Sequence, residues 1–305
     1  MKPSSGDVAA RRRKFGPGLL VTAAFIGPGT IVTASRAGAE FGFALLWAVG
    51  FAVATTIVLQ EMAARLGLIA RRGLAAAIRE SIKTAWARAL ALGLVMTAIV
   101  LGNTAYQTGN LLGAGIGLTV ITGWSVESTA AALGAAISCM LAVGATSRLV
   151  QRGLIAIVLA MSVAILATAL ATRPSLSALS AGLLLPTLPA GSLVATLALI
   201  GTTVVPYNLF LHATAVQQRW SSDEDPNKAL SSARLDSALA ILLGGVVTIA
   251  VVVTATAAFY GKSDPPTAAR DVVQQLKPLL GSKGQILFAA GLAAAGLTSA
   301  VTAPL

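Results

Sequence analysis

Gly201–Ala213 reads GTTVVPYNLFLHA and lies inside an apolar run from roughly Pro189 to Val216. That run has the length of a membrane-spanning helix, which needs about 20 residues. It is interrupted in the middle. Pro206 has no backbone N–H and its ring clashes with the turn before it, so a regular helix does not pass through. Tyr207 and Asn208 follow at once, and His212 lies one turn on. At membrane depth, backbone groups freed by such a break must find partners in protein or in a water-filled cavity. One reading is a proline kink packed against neighbours, since proline is common in membrane helices. The other is a functional site.

A second interrupted run weighs toward the functional reading. From Phe15 to Ala37 the chain is apolar, and Gly27-Pro28-Gly29-Thr30 breaks it near the middle. Broken hydrophobic segments in corresponding positions of two halves are the best sequence pointer to a secondary-transporter binding site. Half-helix ends then aim their dipoles, N–H groups and carbonyls at one point.

The rest of the composition agrees with a polytopic membrane protein. Of 305 residues, 56% are hydrophobic and 11% charged, against about 25% charged in a soluble domain. A single cysteine, Cys139, rules out an internal disulfide framework, and its surroundings, AAISCMLAV, read as small apolar packing. The first apolar run is too long for a signal peptide and has no convincing cleavage site. Eight spans are expected, near residues 15–37, 42–69, 89–113, 128–146, 153–172, 190–216, 235–260 and 284–305. With the N-terminus inside, sixteen of the 22 basic residues fall in inside segments and five outside, a bias that supports this topology. The net charge of +11 therefore follows the spans and gives no argument for nucleic acid. Residues 1–14 form a basic cytoplasmic N-terminus, 15–172 a first five-helix repeat, 173–189 an extracellular linker, and 190–305 a partial second repeat of helices 6 to 8. The chain reads AAGLTSAVTAPL to its end inside span eight. On this count the second repeat lacks its last two spans, so either the chain is a fragment or the gene is truncated.

Span three carries a polar stripe. Asn103, Tyr106, Gln107 and Asn110 fall at i, i+3, i+4 and i+7, one helical face. Such side chains face a bundle interior or a cavity, as a pathway lining or as interhelical hydrogen-bonding glue. Carboxylates are scarce: of eleven, none lies at the centre of a span. Glu40 follows Arg36, and Arg65 follows Glu61, each by four residues, the spacing of local helical pairs. There is no intramembrane carboxylate pair for acid–base chemistry, no zinc-spaced cluster and no phosphate loop. Nothing argues for an enzyme.

These segments together resemble the Nramp (natural-resistance-associated macrophage protein) family of divalent-metal transporters, over essentially the whole chain. The family carries Asp-Pro-Gly-Asn at the span-one break, where this chain has Gly27-Pro28-Gly29-Thr30. It carries Met-Pro-His-Asn-Leu-Tyr-Leu-His at the span-six break, where this chain has Val205 to His212, VPYNLFLH. AGAEFGFALLW (37–47), QEMAARLGL (60–68) and GLAAAIRE (73–80) also look like family segments.

The resemblance implies an all-α polytopic membrane protein with a LeuT-type inverted repeat, broken helices 1 and 6, and an incomplete second repeat. It implies alternating-access transport of divalent metal ions of the manganese and iron class. The helix breaks are Pro28, Gly29 and Pro206. The metal pathway carries over to Ala24, Gly27, Thr30, Thr202, Val205 and Tyr207, and a polar pathway or proton route to Asn103, Tyr106, Gln107, Asn110 and His212. The departures fall on the chemistry. The family's Asp, Asn and Met ligands are replaced by Gly27, Thr30 and Val205, and its acidic pair in span three by Asn103 and Tyr106. Thr hydroxyls and carbonyls make a neutral, hard-oxygen site, whereas a thioether favours transition metals. The alternatives are thus the same fold with altered cargo, a hydrated magnesium-like ion or a small organic solute, or a non-transporting fragment. The expected partners are the lipid bilayer and a small inorganic cation, with no nucleic acid, no obligate protein partner and no permanently bound cofactor. The expected location is a bacterial inner membrane, N-terminus in the cytoplasm.

Overall fold

The computed structural model describes residues 27–142, 148–219, 225–262 and 269–302, and among them all regular structure is helical. In chain order the helices are α1 (Pro28–Phe41), α2 (Leu46–Leu68), α3 (Leu74–Ser81), α4 (Ala85–Thr122), α5 (Val126–Ala142) and α6 (Arg148–Ala171). There follow α7 (Leu176–Leu184), α8 (Leu193–Thr203), α9 (Pro206–Arg219), α10 (Pro226–Phe259), a 3₁₀ helix (Ala269–Leu276) and α11 (Lys277–Thr302). Among the described residues, six segments are long and apolar enough to cross a membrane: α2, α4, Arg152–Ala171, the α8–α9 pair, α10 and Leu280–Val301. Val126–Met140 in α5 is a shorter apolar helix, and α1 is the described part of the first expected span.

Two expected boundaries need correction. Span three, expected to stop at 113, continues to Thr122 and ends only where Gly123 adopts φ 73°, a left-handed C-cap whose N–H donates to the Thr119 carbonyl at 2.9 Å. Span seven, expected from 235, starts at Pro226, because Asp225 caps the Asn227 N–H at 2.9 Å and Pro226 fits the first turn. Apolar runs locate the part of a helix in lipid, whereas caps decide where the helix ends. Between 173 and 189, read as linker, α7 forms and folds back on α2. The Trp47 indole N–H donates to the Thr187 carbonyl at 2.9 Å, and the Thr187 hydroxyl donates to the Ala44 carbonyl at 3.1 Å.

The helices pack as two groups. One joins α1, α2, α8, α9 and α10; the other joins α4, α5, α6 and α11. Close approach relies on small residues, as expected where lipid supplies no hydrophobic drive between helices. Gly296 of α11 sits against the Asn110 backbone and Ala114 of α4, and Gly113 of α4 sits against the Pro28 ring. The core is aliphatic, with Ile31, Leu46, Met161, Ile165, Val251, Phe288 and Leu292 fully buried. One buried polar chain crosses it: the Ser35 hydroxyl donates to Gln275 Oε1 at 2.6 Å, and Gln275 Nε2 donates to the Thr254 hydroxyl at 2.9 Å. This chain ties α1 to α10 through the 3₁₀ helix. The outer faces of α4 and α10 instead present Leu90, Leu94, Val100, Leu101, Leu239, Leu242 and Leu243, as a lipid-facing surface does. Cys139, read as a packing residue, is exposed on α5.

Candidate functional site

Pro206 decides the local geometry of the site. In an unbroken helix its N–H would reach the Thr202 carbonyl; lacking one, the chain ends α8 at Thr203 and begins α9 at Pro206. The last four carbonyls of a helix have no partner within it, and here each finds one. Ile200 accepts from the Val204 N–H at 2.9 Å. Gly201 accepts from the Tyr106 hydroxyl of α4. Thr202 accepts from the Thr30 hydroxyl of α1 at 3.4 Å. Thr203 is approached at 3.5 Å by the Thr56 hydroxyl of α2, which also donates to Ala52 at 2.7 Å. Three hydroxyls from three helices thus hold the break open.

The start of α1 lies opposite. Gly27 is extended, φ −71° and ψ 158°, and Pro28 starts α1 with its missing N–H placed where no helical bond was due. The Thr30 to Thr202 bond therefore joins the first turn of α1 directly to the α8–α9 break across 172 positions of sequence.

A cavity of about 360 Å³ opens at this junction. α1 and its cap contribute Gly27, Gly29 and Thr30 to its wall, and the α8–α9 break contributes Thr202, Val205 and Tyr207. α4 contributes Gly102, Ala105, Tyr106, Gly109 and Asn110, and α11 contributes Ser299. The Tyr106 and Tyr207 rings meet edge to face, centroids 5.9 Å apart and planes at 76°, a favoured aromatic geometry. Val205 is buried, and Asn110 is 8% exposed.

Of the expected metal-pathway residues, Gly27, Thr30, Thr202, Val205 and Tyr207 converge on this cavity. Ala24 lies outside the described residues. Pro206 separates α8 from α9 where the sequence expects a break, and Pro28 and Gly29 open α1; the residues before Gly27, on which the first expected break depends, lie outside the described ones. The polar stripe of α4 divides. Tyr106 and Asn110 line the cavity, but Asn103 and Gln107 do not. Gln107 instead donates to the Ala300 carbonyl at 3.0 Å, joining α4 to α11. His212 also lies off the cavity wall. Its Nε2 pairs with the Ser237 hydroxyl of α10 at 3.2 Å, beside a second cavity of about 190 Å³ bounded by Gln60, Glu61, Arg234 and Ser237. Ser299, Gly102, Ala105 and Gly109 were missed by the sequence reading. The glycines and Ala105 neighbour the polar stripe on α4, and a small-residue face beside polar positions is the signal that could have found them.

The charges stay away from the main cavity. Arg36 pairs with Glu40 at 3.1 Å on the exposed side of α1. Glu61 takes Arg65 at 2.9 Å, the expected local pair, and also Arg234 Nε from α10 at 2.8 Å. Among the described residues, no group of three or more His, Cys, Asp or Glu is placed to hold a metal.

A helix broken at Pro206 and the start of α1 at Pro28 meet at a partly open, mostly apolar cavity with a few polar wall groups, inside a bundle of apolar helices, and together define a polytopic membrane-protein fold. The chain belongs to the natural resistance-associated macrophage protein-like (Nramp) family, whose family model matches residues 18–305. It is 30% identical over 298 residues to the divalent metal cation transporter MntH of Yersinia pestis, covering 95% of this chain and 70% of that one. It is 30% identical over 292 residues to the protein of the same name from Deinococcus radiodurans, covering 93% of this chain and 65% of that one. Among solved structures it resembles the Eremococcus coleocola manganese transporter bound to an aromatic bis-isothiourea compound. The TM-score is 0.69 at 24% identity, with 93% of this chain and 62% of that chain covered. The likeness shows the fold, the LeuT-type arrangement of that family; this chain spans less than two thirds of the solved chain's length.

Proposed function

We propose that this chain carries the substrate-binding core of a secondary transporter that moves divalent metal cations across the membrane by alternating access. The cavity between the start of α1 and the α8–α9 break is the observation that supports this reading most directly. Freed carbonyls and hydroxyls at Thr30, Thr202 and the Tyr106 bridge give it oxygen donors of the kind hard cations take. The names of the MntH relatives supply the cargo class. Gly27, Thr30, Thr202, Val205 and Tyr207 are the cargo contacts on this reading, with Tyr106 and Asn110 facing them. The carried-over position Ala24 belongs to the same set. Residues 15–172 act as a first repeat and 190–305 contribute helices 6 to 8 of the second, joined by an outside linker at 173–189. The distribution of basic residues supports a cytoplasmic N-terminus in a bacterial inner membrane. The lipid bilayer and the cation are the partners, with no resident cofactor.

Reconstitution of the chain in liposomes tests the proposal. Manganese or magnesium entry, read by an entrapped fluorescent indicator, should exceed that of empty liposomes and saturate with concentration. Absence of uptake for every divalent ion tried overturns it.

A further inference from the structure

We propose that the cavity binds its divalent cation with the hydration shell largely in place, and that Asn110 is the side chain that recognises that shell. This rests on the divalent-cation reading above and adds to it the form in which the ion is held.

Asn110 carries the inference. It is 8% exposed, and it borders the cavity. Its carboxamide makes no hydrogen bond to protein among the described residues, although a buried amide offers two donors and an acceptor. Buried polar groups left unpaired by protein are paired by ordered water or by a ligand. The Tyr207 hydroxyl, also on the wall, likewise takes no protein hydrogen bond among the described residues. Two uncommitted polar groups therefore look into one space.

That space is large for a bare ion. At ~30 Å³ per water, 360 Å³ holds on the order of a dozen waters. An ion with six waters fills about half of it. Its wall is also wrong for a bare ion. The described wall holds no carboxylate, imidazole or sulfur, and Val205 is apolar. Removing a divalent ion's water requires replacement charge, which a neutral wall does not give. The described helix ends add no net negative charge either. α8 offers its negative C-terminal end, but α1 and α9 both offer positive N-terminal ends. A hydrated ion asks for something else: acceptors for its water protons. The Asn110 carbonyl oxygen, the Tyr207 hydroxyl and the Thr202 carbonyl meet that demand. The result is a site suited to hard, strongly hydrated ions such as magnesium, without the preference for soft ions that a thioether confers.

The test uses hexaamminecobalt(III), whose six ligands do not exchange and which imitates a hydrated cation. With the chain in liposomes, magnesium entry should be inhibited by this complex, and manganese and cadmium should compete no better than magnesium. Asn110→Leu, which keeps the branched shape but removes the donors and acceptor, should weaken inhibition by the complex by about tenfold, the worth of a hydrogen bond to a charged partner. Asn110→Asp, which keeps the acceptors, should preserve it, and this separates recognition from folding. If the complex has no effect while manganese or cadmium binds tenfold more tightly than magnesium, hydrated binding is overturned and divalent transport stands. Equal inhibition of the native chain and a folded Asn110→Leu overturns the role of Asn110. If no divalent ion enters at all, both readings fall.

Discussion

Gly27, Thr30 and Val205 carry most of the chemical individuality of the site. Their side chains give the cavity a hydroxyl and an isopropyl group where the resemblance leads one to expect a carboxylate, an amide and a thioether. Gly27 is extended rather than left-handed, so a side chain there costs no backbone strain. Introducing Gly27→Asp, Thr30→Asn and Val205→Met together should raise cadmium affinity by about tenfold or more, roughly 1.4 kcal/mol, measured by calorimetry on the purified chain. Magnesium affinity should rise less, since the added sulfur favours soft ions. The prolines beside them marked these stretches in the sequence, and the resemblance to the family's motifs picked out the three positions. The place of His212 was not legible there. Helical spacing places it one turn past the break, but only the packing of α9 on α10 turns it toward Ser237. The split within Asn103, Tyr106, Gln107 and Asn110 has the same origin. Spacing defines a face, but two neighbours, the cavity and α11, divide that face between them.

At the scale of elements, the α8–α9 break is maintained by what Pro206 withholds. Pro206→Ala would return an N–H able to reach the Thr202 carbonyl, and the interior penalty of a proline, about 3 kcal/mol, would no longer oppose a continuous helix. The variant should melt at the same or a higher temperature than the native chain, while cation entry into liposomes falls at least about tenfold, the factor that 1.4 kcal/mol represents. Loss of stability with transport intact would contradict the role given to the break. The Pro206 break was visible in the sequence, as were the long spans. The ends of α4 and α10 were not, because hydrophobicity fades at the bilayer surface while helical hydrogen bonding continues to the nearest cap. The short α7 was hidden for a related reason: its order comes from Trp47 and Thr187, contacts 140 residues apart in sequence.

For the molecule as a whole, the two helix groups meet around the cavity, and the Ser35–Gln275–Thr254 chain stiffens one of them from within. Gln275→Leu would leave the buried Ser35 hydroxyl without its acceptor, while Thr254 still donates to the Ala250 carbonyl at 3.0 Å. It should cost about 2 kcal/mol, seen as a lower melting temperature in detergent, with cation selectivity unchanged. The Thr30 to Thr202 bond works differently. It is a tether between α1 and α8 whose acceptor is also a wall group of the cavity. A water carried in on a cation competes with Thr30 for that one carbonyl. On the proposed function, arrival of cargo and slackening of the tether would be a single exchange of partners, coupling ion entry to release of α1 from α8.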